Sequence, residues 1–124
     1  MNKSIKIAPP NSLILVMDHS FGEVPAEMGG QLVSSTDSCV AVGTLSEIDG
    51  ETTITLTSDL QIEPGLEEAF NGIVQTPSGE LSICNSRNEA LISLRELSLE
   101  TRIRILVNDS YEPDQIVVVA EPSS

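Results

Sequence analysis

The side chains able to do chemistry in this 124-residue chain are few and scattered. His19 is the single histidine and follows Asp18. A histidine beside a carboxylate can act as a general base. Neighbours on a strand project to opposite faces, however, so the sequence predicts a strand-end histidine that does not bond Asp18. Serine is plentiful, but there is no Gly-x-Ser-x-Gly elbow and no second histidine to complete a triad. Cys39 and Cys84 stand in separate apolar runs without a Cys-x-x-Cys or Cys/His cluster, which argues against a thiolate metal site. They read as two buried, reduced thiols, and a bridge between them is a matter of geometry. The glycines are dispersed at turns, with no Walker or dinucleotide fingerprint. No catalytic, cofactor-binding or metal-binding residue is assigned, and the chain reads as a non-enzyme without a cofactor.

Carboxylates are the abundant chemistry. Between Ile7 and Ser86 stand Asp18, Glu23, Glu27, Asp37, Glu47, Asp49, Glu51, Asp59, Glu63, Glu67, Glu68 and Glu80, with no lysine or arginine among them. Over the whole chain 19 acids face 6 bases, a formal charge of -13. Such an imbalance speaks to partners and solubility rather than to fold. It argues against nucleic-acid and anionic-membrane binding and allows a basic protein partner or a cation. Two acid clusters raise a competing reading, a ligand- or calcium-binding module: Glu47, Asp49 and Glu51 around the Asp49-Gly50 turn, and Asn108, Asp109, Glu112 and Asp114 in a later loop. Calcium takes six to eight oxygen ligands, but neither cluster has the spacing of a known calcium loop. Solvated turn acids are the plainer account, and they also discourage open sheet edges from pairing with other chains. Arg102 and Arg104 share one strand face and Arg95 precedes them. They form either a small basic patch or cross-strand pairs with Thr and Glu on the solvent face.

The elements that must position these residues are strands. In 52–57 Ile54 and Leu56 take one face and threonines the other, and 101–107 alternates likewise, with both arginines outward. Further candidates are 13–18, 31–34, 40–45, 72–75, 81–84, 91–95 and 116–120. The apolar content is largely Val, Ile and Leu, with only Phe21, Phe70 and Tyr111 as aromatics, a composition suited to pleated surfaces. Asp49-Gly50 and Pro77-Ser78-Gly79 read as hairpin turns, as do 87–89 and 111–114. The segment 64–70 reads as one helical turn with acids near its start, and 21–30 is the longest irregular connection. The expectation is one domain over residues 1–124, an all-β antiparallel sandwich of about eight strands with at most one short helical turn. Its core comprises Leu13, Leu15, Val40, Val42, Ile54, Leu56, Leu81, Ile83, Ile103, Ile105, Ile116 and Val118. The flat apolar run 115–120 suggests an open edge and a homodimer. The apolar run 13–17 is too short for a signal peptide, no stretch approaches the roughly 20 apolar residues of a membrane span, and the expected location is the cytoplasm.

Three segments carry a resemblance. Gly43-Thr44-Leu45 to Asp49-Gly50 with the alternating strand after it, Pro77-Ser78-Gly79-Glu80-Leu81, and Thr101-Arg102-Ile103-Arg104-Ile105 resemble a group of small, acidic bacterial β-sandwich proteins. Some of these are similar to competence protein J, an inhibitor of a partner nuclease. The resemblance implies a sandwich fold and an inhibitor or immunity role. It transfers no functional residue, and this chain lacks the aromatics that many such proteins carry near the C-terminus.

Overall fold

Runs rich in branched aliphatic residues, some alternating and some continuous, build ten strands, described here in a computed structural model over residues 2–59 and 65–122. They are β1 (Asn2–Ile7), β2 (Leu13–Met17), β3 (Val33–Ser35), β4 (Cys39–Gly43), β5 (Thr52–Thr57), β6 (Glu67–Gln75), β7 (Leu81–Asn85), β8 (Ala90–Leu94), β9 (Glu100–Val107) and β10 (Gln115–Pro122). Two five-stranded sheets result, one in the order β1-β5-β10-β9-β6 and the other in the order β3-β4-β2-β7-β8. The first is called sheet A below and the second sheet B. The all-β sandwich read from the sequence is the observed fold. It has more strands than expected, partly because β1, interrupted by Lys3 and Lys6, lacks a clean apolar pattern.

The two sheets bury Ile14, Val16, Val40, Val42, Ile54, Leu56, Leu81, Ile83, Ile103, Ile105, Ile116 and Val118 between them. Ten of the twelve predicted core residues are among these. Leu13 and Leu15 are not. They lie on the outer face of sheet B with Met17, Cys39, Ala41 and Cys84. Every residue of β2 is apolar, so alternation could not choose a face; register with Val42 and Val40 turns Ile14 and Val16 inward. The outer cluster is nevertheless buried, because the 18–32 connection covers it. Met28 packs there, and Gly22 lies so close that a Cβ on it would come within 2.6 Å of Met17 Cβ.

Several local expectations are corrected by tertiary pairing. The 64–70 helical turn is not formed where it is described: Glu67 to Phe70 open β6, which pairs with β9 through a bulge near Ala69, and Pro64 lies outside the described residues. Cross-strand hydrogen bonding thus overrides a weak local helix signal. The 3₁₀ turn lies at Pro10–Ser12 instead. Asp49-Gly50 and Pro77-Ser78-Gly79 do not close hairpins, since β4 and β5, and likewise β6 and β7, belong to different sheets. The hairpin loops are 36–38, 86–89 and 108–114, joining β3 to β4, β7 to β8 and β9 to β10. Finally, 115–120 is no edge. It lies in β10, the middle strand of sheet A, paired antiparallel to β9 and parallel to β5, which removes the argument made from it for a homodimer.

Candidate interaction surface

The parallel β5–β10 pair decides where the carboxylates go. Its register sets Thr53 beside Gln115 and Ile54 beside Ile116. Two parallel neighbours start at the same end of a sheet. The loops that feed them, 44–51 and 108–114, must therefore lie side by side. Backbone bonds join them: Leu45 N–H donates to the Pro113 carbonyl at 2.9 Å, and Thr53 N–H to the Asp114 carbonyl at 2.8 Å. The two acid clusters read separately from the sequence, some sixty residues apart, thus form one surface at one end of the sandwich. An open groove of about 590 Å³ runs between them, lined by Lys6, Leu45, Asp49, Gly50, Glu51, Thr53, Asp114 and Gln115. Ile48 and Tyr111, at the tips of the same loops, are 91% and 85% exposed.

The second loop is held by its own polar groups. Asn108 Oδ1 accepts from the N–H groups of Asp114 and Gln115, while Asn108 Nδ2 donates to Asp114 Oδ1 at 2.6 Å. Asp109 Oδ1 accepts from Tyr111 N–H at 2.7 Å and Glu112 N–H at 3.0 Å. These two donors favour the charged form and hold the Asp109 carboxyl below the ordinary aspartate range. Among the described residues no three His, Cys, Asp or Glu side chains gather as a metal site. The carboxylates that a calcium site would need are thus partly turned to holding the turn.

The other sequence candidates fall elsewhere. His19 and Asp18 do not bond each other. His19 Nε2 donates to the Asn88 carbonyl at 2.7 Å, while the buried Asp18 carboxylate accepts from Ser20 N–H at 3.1 Å and Ser78 N–H at 2.8 Å. Asp18 therefore pins the 76–80 turn at the opposite end of the sandwich. Cys39 and Cys84 are free and buried, on β4 and β7, with β2 between them. Cys39 stands opposite Met17 and Cys84 opposite Leu15, so two strand spacings plus a two-residue offset keep their backbones more than about 9 Å apart, beyond the Cα reach of a disulfide. Burial pushes the Cys39 thiol up to about 12, with a further contribution from Cys84, and pushes Cys84 up to about 11.

The arginines pair as the plainer reading had it. Arg104 Nε meets Glu68 Oε1 at 2.7 Å and Arg102 Nη1 donates to Asn71 Oδ1 at 2.9 Å, both between β9 and β6. Arg95 does not join them: it follows β8 in sheet B and pairs with Glu80 at 2.8 Å. The juxtaposition of the two acidic loops is the feature the sequence did not reveal. Its only trace there is the apolar run of β10, legible as a buried strand but silent about its neighbour.

No described helix is long and apolar enough to cross a membrane. No protein family's sequence profile matches the chain, and no curated protein does. Solved structures do. The solved structure of Crocagin biosynthetic gene J is similar with a TM-score of 0.55 at 12% identity, over 99% of this chain and 96% of that one. The crystal structure of ComJ from Bacillus subtilis, inhibitor of the DNA degrading activity of NucA, is similar with a TM-score of 0.66 at 9% identity, over 98% of this chain and 96% of that one. At these identities the likeness is one of fold, and the distant resemblance to competence protein J read from the sequence is met in the two-sheet sandwich that this chain shares with ComJ.

Proposed function

We propose that this chain is an acidic, non-enzymatic protein-binding module that inhibits or neutralises a basic protein partner. The observation that carries the reading is the superposition of nearly the whole chain on a sandwich whose described role is inhibition of a nuclease. Charge supports it. A surplus of -13 repels itself in the compact state, and a positive partner relieves that repulsion while its own field speeds encounter. Two free, buried cysteines fit a reducing compartment such as the cytoplasm.

The test is capture from the source cell on immobilised protein at low and at moderate salt. A basic protein that binds at low salt and releases as the Debye length shrinks toward about 8 Å is the expected result. Adding the chain back to the released protein should lower that protein's activity, with DNA degradation assayed first. If nothing binds at either salt, or if the bound material elutes identically at both, the reading is abandoned.

A further inference from the structure

We propose that the partner docks end-on, against the surface made by the 44–51 and 108–114 loops, and that the docking patch on the partner is rich in lysine and arginine around an apolar spot. The inference rests on the protein-binding reading above and adds the place and the chemistry of contact. Ile48 and Tyr111 carry it. Large apolar side chains that stand 91% and 85% exposed gain nothing from this chain's own packing; a tyrosine such as Tyr111 is a common dominant anchor once buried by a partner, and Ile48 adds apolar area beside it. The surrounding charge says what the partner must be. The same two loops carry Glu47, Asp49, Glu51, Asp109, Glu112 and Asp114, and Asp49, Glu51 and Asp114 line the groove with Lys6. The groove lined by Asp49, Glu51 and Asp114, about 590 Å³ and open, has the volume to admit a basic side chain of the partner beside Lys6. The surface is also preorganised: Asp109 and Asn108 fix the loop that presents Tyr111, so little ordering accompanies binding.

The opposite end supplies the control. Glu23, Asp37, Glu100 and the exposed Leu99 lie there, far from the two loops. The probe is the protein fraction that the wild-type column holds at low salt and releases at moderate salt. It is passed over columns bearing Ile48→Ala, Tyr111→Ala, the triple change Asp49→Asn/Glu51→Gln/Asp114→Asn, and the control set Glu23→Gln/Asp37→Asn/Glu100→Gln with Leu99→Ala. Tyr111→Ala should weaken retention about tenfold or more, as removal of an interface anchor does. Ile48→Ala should act in the same direction. The triple variant should lower the salt at which the probe elutes, and the control set should behave as wild type within about twofold. Both apolar truncations remove exposed groups, so loss of folding does not confound them. In a second arm, carbodiimide coupling of the wild-type complex should join partner lysines to carboxylates of the two loops. Retention unchanged in the loop variants, or cross-links confined to the opposite end, overturns end-on docking and leaves the binding function standing. A wild-type column that holds no salt-sensitive protein overturns both.

Discussion

Thr52 is fully buried in β5, and its Oγ1 is the one buried side-chain polar atom without a hydrogen-bond partner among the described residues. A hydroxyl stripped of water without a replacement partner costs about 1–3 kcal/mol. Thr52→Val keeps the shape and removes the hydroxyl, so chemical denaturation should show a gain of about 1 kcal/mol. A loss would mean that the hydroxyl is bonded after all. The two thiols give a second prediction at this scale. Their folded values, about 12 for Cys39 and about 11 for Cys84, lie above the ordinary 9.0. The unfolded chain therefore gives up these protons first. Their contribution to stability is whole below about pH 9 and declines as pH rises toward the folded values. The native thiols should resist a disulfide reagent at pH 8 and react once denatured, and a Cys39→Ala/Cys84→Ala protein should lose less of its stability between pH 9 and 11 than wild type does.

Elements show where local pattern suffices and where it fails. The strands with clean alternation, β5 and β9, were legible with their faces, because Thr against Ile or Leu and Arg against Ile leave one choice. On β2, apolar throughout, only neighbours in the sheet decide, and Leu15 went to the wrong side for that reason. Turn chemistry was legible as turning but not as destination: Asp49-Gly50 bends the chain, yet nothing in those two residues says that the next strand joins the other sheet. The acidic clusters were legible one by one. Their union was not, since it depends on β5 and β10 being parallel neighbours. The 18–32 connection makes an element-scale prediction. A methyl group on Gly22 would meet Met17 Cβ at 2.6 Å, and that atom cannot retreat without moving β2. Gly22→Ala should destabilise by about 1–3 kcal/mol, as overpacking does, and should raise the native reactivity of Cys39 and Cys84 as the cover lifts. Thiol reactivity equal to wild type would show that the connection tolerates the change in place.

For the molecule as a whole, like charge is the dominant surface property, and its self-repulsion works against the folded state. Raising sodium chloride from about 0.01 M to about 0.15 M shortens the Debye length from about 30 Å to about 8 Å. The melting temperature should rise over that range in calorimetry, and a flat or falling profile would show that the charges are dispersed widely enough not to oppose compaction. The strand order of sheet A has a different kind of consequence, one of time. Its second strand, β5, is flanked by β1 and β10, the first and last strands described, so one of its two neighbours is synthesised after every other described strand. Before β10 leaves the ribosome, the native pairings open to sheet A are two separate ribbons, β1 with β5 and β6 with β9, with no strand to join them. Chains stalled just before β10 should be cut readily by protease, and chains released with it should not; equal protection of both would mean that the two ribbons close without their middle strand. For an aliphatic core of this kind, the interval between β5 and β10 is when the nascent chain most needs a chaperone.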